Sequence, residues 1–329
     1  MNKFVRNLLT EWRKQNLPFS DETIVAAVSG GADSVSLMLA LDDLQRRKKL
    51  NLKFVIAHFN HNLRGIESDQ DEKFVKDLAK KLKFEFLADK GEISTIGNLE
   101  QNARQARYEF LKQVVEKTKA YAVLTAHTKN DQAETFLLNL VRGSGLDGLA
   151  GMKDSQFLTL DFQPQIRLSR PLLNWAKRKD TEEYCRENNI EFREDSMNTD
   201  LKFARVRIRK EIIPSLEKLN PRIIDTLSQT ANILRADAES LKIKVEKPSE
   251  ILLQSELKLL SKSMQMRLLR SWLEKNRGNL RQLELKHFDA ILQLINSHKS
   301  GRIVELPKGE KVIKKGGKIF FEKRRVEKS

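Results

Sequence analysis

Cysteine is almost missing from this chain: Cys185 is the single one in 329 residues. That excludes a disulfide framework, a Cys-x-x-Cys zinc site and paired-thiol redox chemistry within one chain, and it fits a reducing compartment. Long apolar runs are missing too. No apolar signal region opens the sequence, and no stretch reaches the roughly 18 apolar residues of a membrane span. We therefore expect a soluble, cytoplasmic protein with no membrane partner. Lysine is absent between Lys14 and Lys48, so no Walker A loop lies there, because that motif needs Lys then Ser/Thr after its last glycine. Acid is scarce late in the chain. Residues 201–329 carry 30 Lys/Arg against 15 Asp/Glu, whereas residues 1–200 carry 31 against 30. Nearly all of the net charge of +16 thus sits after residue 200. Such a segment suits a polyanion, most often nucleic acid; a merely soluble basic surface is the alternative.

What is present begins with Ser29-Gly30-Gly31-Ala32-Asp33-Ser34, preceded by the apolar run Ile24–Val28 and followed by a helix-period stretch. The order is strand, glycine-rich turn, helix N-terminus. Two glycines let the backbone turn tightly and aim successive N–H groups into one space. The helix dipole adds positive potential, so a phosphate is favoured there. Ser29 and Ser34 offer hydroxyls, and Asp33 can hold Mg2+ beside the phosphates. The plainer reading is an ordinary turn with Asp33 or Ser34 as N-cap.

Strand and helix patterns then alternate. Strands are expected at 24–28, 54–58, 84–88 and 121–126, and helices at 34–48, 69–82, 99–118 and 131–141. This predicts an α/β fold: a Rossmann-like parallel sheet with helices on both faces. Right-handed crossovers bring the C-terminal strand ends to one edge, where ligands collect. The 29–34 loop, His58 and His127 fall at such ends. Met1–Asn16 reads as a short surface helix. Residues 165–170 have strand character, 175–189 are helical, 194–200 form a polar loop, and 203–219 and 221–245 read as long helices. Lys247-Pro248-Ser249 is the candidate break. Helices at 264–276 and 285–298 follow, then short strands from Gly301 onward with Gly309 and Gly316-Gly317 as turns. The expected domains are a catalytic domain at 1–215, a helical linker at 216–247 and a basic, small α+β domain at 248–329.

Other constellations carry two readings each. His58-Phe59-Asn60-His61 has no further Cys or His nearby, so a nucleotide-positioning strand end is preferred to a zinc site. Arg104 and Arg107 lie three apart on one helix side and suit phosphate, or are a solvated basic face. Asp131 and Glu134 have capping-box spacing, yet stand at the edge where the phosphate loop opens and would form a socket for a cationic amine. Gly143-Ser144-Gly145-Leu146-Asp147-Gly148 has GxGxxG spacing but follows a helix, so it reads as a helix end and flexible loop. Arg205, Arg207, Arg209 and Lys210 enter a helix leaving the catalytic domain, for phosphate contact or as a charged face.

The loop resembles the pyrophosphate (PP) loop of the N-type ATP pyrophosphatases. With His58–Arg64, Ala103–Tyr108, and His127…Asp131-Gln132-Ala133-Glu134-Thr135…Arg142–Gly145, the chain resembles the tRNA(Ile)-lysidine synthetases. Arg170-Pro171-Leu172-Leu173 and 195–209 match more loosely, with departures at Met197-Asn198 and Arg205-Val206. The resemblance implies ATP cleavage between the α and β phosphates. The C2 oxygen of cytidine 34 in a CAU-anticodon tRNA(Ile) is adenylated, and the ε-amine of L-lysine then displaces AMP. It places Ser29, Gly30, Gly31, Ala32, Asp33, Ser34 and His58 at ATP, and Asp131 and Glu134 at lysine. His127 with Arg104 or Arg107 falls at the adenylate phosphate. The charge of Arg205, Arg207, Arg209 and Lys210, read from the residues themselves, makes them the expected tRNA contacts. A homodimer is one option. A tRNA thiolase, or a non-catalytic ATP- and RNA-binding protein, are the alternatives.

Overall fold

The computed structural model describes residues 1–62, 65–91, 99–158, 166–193, 201–243, 250–280, 282–297 and 299–323. Leu63, Arg64, Gln165, the 194–200 loop with Met197-Asn198, Val245, the break at 247–249, His298 and the tail after Lys323 lie outside the described residues. The chain divides into two compact units, Met1–Ala236 and Asp237–Ser329.

The first unit runs α1 (Lys3–Lys14), β1 (Ser20–Ala27), α2 (Ala32–Arg46), β2 (Asn51–Asn60), α3 (Ile66–Lys81), β3 (Glu85–Lys90), α4 (Leu99–Thr118), β4 (Ala122–Thr125) and α5 (Lys129–Val141). It continues with α6 (Leu146–Leu149), β5 (Ser155–Leu158), β6 (Ile166–Ser169), α7 (Arg178–Glu187), α8 (Ala204–Arg207), a π turn (Ile208–Ile212) and α9 (Ile213–Leu219). The helix α10 (Ile223–Ile243) carries the chain across the unit boundary. The sheet order is β3-β2-β1-β4-β6-β5, parallel except for β5, which pairs antiparallel with β6.

The apolar run in β1 is continuous because both faces of the strand are covered. Ile24 and Ala26 point into one core with Phe54, Ile56, Ala122 and Leu124, under α1, α2 and α7. Val25 points the other way, with Val55 and Val123, against Phe110, Leu111 and Val114 of α4. The expected surface helix at the N-terminus is instead half core. Phe4, Val5, Leu8, Leu9 and Trp12 recur at helical spacing and are buried. Phe4 stacks on Tyr184 with ring centroids 4.5 Å apart.

Strand order fixes where a ligand can go. The chain winds from β1 outward through β2 and β3, then crosses back to β4 on the other side of β1. Between β1 and β4 the crossovers diverge and leave a crevice at the C-terminal strand ends. Ala27 pairs with Thr125, and Leu124 with Ser169. The segments starting at Ser29, His127 and Arg170 therefore leave the sheet side by side.

Three local expectations are revised. α7 starts at Arg178 rather than Trp175, because the Asp180 carboxylate takes the Lys177 N–H at 2.8 Å and caps the helix there. The 203–219 helix is interrupted by the π turn, in which Ile213 N–H reaches the Ile208 carbonyl. The segment after Gly143 (φ +70°) is not a featureless loop, since α6 forms one turn within it.

The second unit contains β7 (Leu252–Leu253), α11 (Gln254–Lys258), α12 (Lys262–Arg277), α13 (Leu285–Asn296), β8 (Ile303–Glu305), a 3-10 turn (Pro307–Gly309), β9 (Lys311–Lys315) and β10 (Lys318–Glu322). Its strands form an antiparallel sheet in the order β7-β10-β9-β8. Gly316 and Gly317, both with positive φ, close the β9–β10 hairpin. Trp272, Leu269 and Ile291 pack with Val312 and Ile319 as a separate small core.

Candidate active site

The 29–34 loop is built around one hydroxyl. Ser34 Oγ accepts the N–H groups of Ser29 and Gly30, each at 3.2 Å, and donates to the Gly31 carbonyl at 2.9 Å. Successive amides are thereby turned to a common side. Gly30 has φ +97°, the left-handed region that glycine alone enters freely. Gly31, rather than Asp33 or Ser34, is the N-cap of α2, and its lack of a side chain leaves the helix opening without a side-chain cap. Two other segments hold the loop. Arg193 N–H donates to Gly30 O at 3.0 Å, and His58 Nδ1, almost fully buried, bonds to Val28 O at 2.8 Å. His58 thus braces the loop from β2, and burial holds its pKa below the ordinary value. Converging amides at an uncapped helix start fit a polyphosphate.

Asp33 sits in the first turn of α2. Thr181 Oγ1, on α7 and fully buried, lies 2.5 Å from Asp33 Oδ1 and 2.7 Å from the Arg178 carbonyl. Burial first, and then the neighbouring Asp131, push the Asp33 carboxyl up to about 6. One carboxylate with phosphate oxygens and water is what Mg2+ takes, so Asp33 fits that ion. The raised pKa has a signed consequence. The stability it contributes is fully present below the ordinary value of 3.8, where Asp33 is protonated, and is lost as pH rises through about 6. Asp33→Asn is therefore expected to stabilise the ligand-free protein at pH 7.5. The advantage over the natural residue shrinks as pH falls toward 5, which urea unfolding across that range checks.

The opposite wall is the β4–α5 connection. Thr125 Oγ1 lies 2.9 Å from His127 Nδ1. Burial, together with the charges of Arg170, Arg107 and Arg205, outweighs the pull of Asp131 and keeps the His127 imidazole neutral at physiological pH. Asp131 caps α5, its Oδ2 accepting Thr128 N–H at 2.8 Å, while its Oδ1 faces Arg205 Nη2 at 3.4 Å. Burial alone would raise its pKa, but His127, Arg205 and the Thr128 amide bring it below the ordinary value. The start of α5 is tied to that of α7 by Lys129 N–H to Ala176 O at 2.8 Å and Arg178 N–H to Asn130 Oδ1 at 3.0 Å.

Glu134, one turn further along α5, is completely buried. Arg209 reaches it through Nε at 2.6 Å and Nη2 at 2.9 Å, Arg205 through Nε at 2.9 Å, and Arg178 through Nη2 at 3.4 Å. The structure thus joins residues that spacing alone keeps apart: an acid expected at lysine and two arginines expected at tRNA. Arg205 and Arg209 are four apart on one helix face, which is the signal that could have paired them. Arg207 and Lys210 point away. Arg207 pairs with Glu211 at 3.4 Å, and both are exposed. On α4, Arg104 lies over the Tyr108 ring at 4.9 Å, and Arg107 acts on His127 through its charge.

Sequence reasoning also passed over Arg170 as a site residue. It is 1% exposed at the end of β6, donates to the Lys153 carbonyl at 2.5 Å, bonds Tyr108, and adds its charge to the His127 surroundings. An arginine directly after a strand that ends at the crevice was the available clue.

A phosphate cradle at the β1–α2 turn, an acid beside it and a cationic wall opposite define a PP-loop nucleotide-using domain, and residues 2–216 match the PP-loop domain model. Residues 252–320 match the TilS substrate binding domain. The chain belongs to the tRNA(Ile)-lysidine synthase family. It is 32% identical over 332 residues to the tRNA(Ile)-lysidine synthase of Clostridium tetani, covering 96% of this chain and 68% of that one. Against that of Geobacter sulfurreducens it is 34% identical over 320 residues, covering 92% and 65%. The chain thus spans about two thirds of the length of these relatives. Among solved structures, the U34-tRNA thiolase NcsA of Methanococcus maripaludis shares the fold, with a TM-score of 0.58 at 15% identity over 75% of this chain and 82% of that one. No described helix is long and apolar enough to cross a membrane.

Proposed function

We propose that the protein attaches L-lysine to C2 of cytidine 34 in the CAU anticodon of tRNA(Ile), with ATP as the activating reagent. The observation that carries this reading is the crevice itself, where the 29–34 amide cradle faces Asp131 and neutral His127 across the β1–β4 switch point. In the first step the cytidine C2 oxygen attacks the α-phosphorus of ATP, and the α–β bridging bond breaks to release pyrophosphate. Loop amides of Gly31 and Ala32 at the uncapped start of α2, with the Ser29 hydroxyl, hold the departing charge. Mg2+ held by Asp33 would offset part of that charge. His127 with Arg104 or Arg107 would meet the adenylate phosphate; His127, being neutral, would serve there as a hydrogen-bond partner rather than a cation. In the second step the unprotonated ε-amine of lysine attacks C2, the C2–O bond breaks, AMP leaves, and the nitrogen loses a proton. Asp131 is the acid that meets lysine. Glu134 belongs to the lysine site through the arginines it fixes, since guanidinium groups take both of its oxygens. Arg205 and Arg209 accordingly shape this wall, while exposed Arg207, Lys210 and the basic 248–329 domain are left to meet tRNA.

The thiolase alternative would need paired cysteines or an iron–sulfur cluster. Cys185 is fully buried and donates to the Ala32 carbonyl at 3.5 Å. Burial and Asp33 push its thiol up to about 12, so it offers no thiolate. The test is release of AMP and pyrophosphate together with a tRNA product one lysine heavier, minus water. Both tRNA and lysine must be required for the product; AMP release without lysine consumption overturns the reading.

A further inference from the structure

Three guanidinium groups converge on Glu134, and two suffice for it. Arg209 and Arg205 occupy Oε1 at 2.6 Å and Oε2 at 2.9 Å. Arg178 reaches Oε1 only at 3.4 Å, where Arg209 already donates. Its side chain is also the most open of the three, 29% exposed against 26% and 20%. Its main chain, by contrast, is fixed through Asn130. Its own carbonyl lies 2.7 Å from the Thr181 hydroxyl that meets Asp33. Arg178 is therefore a loosely engaged guanidinium on a rigid base, between the phosphate loop and Asp131.

We propose that Arg178 receives the α-carboxylate of the amino-acid substrate. The inference rests on the lysine-ligating reading above and names the group that reads the head of that substrate. With Asp33 assigned to the metal, Arg178, Arg205 and Arg209 face Asp131 and Glu134, an excess of one positive charge. A planar anion of unit charge completes the set, and a carboxylate matches the guanidinium fork bidentately. A polyphosphate is disfavoured at this spot. It would be brought against Asp131 and Glu134 together. A zwitterion meets both signs at once, its carboxylate on Arg178 and its α-ammonium toward Asp131. The long side chain is then free to carry the ε-amine to the activated base.

The experiment compares L-lysine with pentane-1,5-diamine, which is lysine without its carboxylate. Each is assayed for attachment to tRNA by the full-length protein. The unaltered protein is expected to favour lysine by about tenfold or more in kcat/KM, the weight of a charge-assisted hydrogen bond. Arg178→Ala should bring the two amines to near parity, with the loss falling in the KM for lysine. Arg178→Lys, which keeps charge but not the fork, should give an intermediate ratio, and it carries the comparison if the alanine variant does not fold. An unchanged lysine-to-diamine ratio in either folded variant overturns the proposal. So does a raised KM for ATP with the ratio intact, which would make Arg178 a phosphate contact. An unaltered protein that attaches neither amine overturns the ligase reading itself, whereas equal use of both by that protein overturns only the carboxylate receptor.

Discussion

Replacing Gly30 by valine is expected to reduce magnesium-dependent ATP affinity about 100-fold or more, equivalent to losing two amide hydrogen bonds to a charged ligand at about 1.5–3 kcal/mol each. The cause is backbone geometry more than crowding. A Cβ at Gly30 would meet its nearest neighbour, Val75 Cγ2, at an ordinary 3.5 Å. At φ +97°, however, a β-branched residue is a steric outlier. The peptide must rotate, the Ser29 and Gly30 N–H groups then leave Ser34 Oγ, and the Gly31 and Ala32 N–H groups that follow no longer converge on the phosphates. Gly31 has φ −73°, and a Cβ there would have no neighbour closer than 3.8 Å, so Gly31→Ala should cost clearly less. Calorimetric titration of both variants with ATP and Mg2+ gives the comparison. Equal affinity in Gly30→Val and the natural protein would mean that the loop does not hold the triphosphate.

Glu134→Ala should be among the most destabilising single substitutions, about 3–5 kcal/mol, because it leaves clustered guanidinium groups without their shared counter-charge. Against a total stability of about 5–15 kcal/mol, that is a large fraction. Glu134→Gln keeps an acceptor oxygen and the side-chain shape, and should cost less. Urea unfolding at constant slope reads both. Removing one arginine as well, in Glu134→Ala/Arg209→Met, should recover part of the loss, and the departure from additivity measures the coupling. A loss under about 1 kcal/mol in the single alanine variant would show that the arginines do not depend on Glu134.

Legibility in the sequence follows the range of the interactions. Alternating patterns around Ile24–Val28 and 121–126 placed the parallel sheet, since burial on two faces leaves a mark within a few residues. The Gly30-Gly31 loop was equally legible, because its conformation is set by the residues that form it. The role of Glu134 was not. Its partners come from positions 178, 205 and 209, and a carboxylate carries no local sign of which cations will surround it. Arg205 and Arg209 were seen as charge leaving for RNA, because spacing reports a shared face and not what lies opposite. Trp12 and its helical neighbours could have been assigned to the core, since apolar positions 4, 5, 8, 9 and 12 make a stripe. The charged residues between them favoured a surface reading. The π turn at Ile208–Ile212 has no signal in residue type.

The reach of the 204–219 helix back to α5 also limits how the protein can be shortened. A fragment that stopped at the end of α7 would retain the whole phosphate loop, yet it would strand a buried carboxylate with one distant arginine. Ala133, Phe136 and Leu137 would lose Ile208, Ile213 and Ile224 from their apolar cluster in the same cut. Modularity in this family member therefore begins only beyond Ala236, well along α10. A self-sufficient nucleotide-binding piece has to include helices that, by position in the chain, look like a tether.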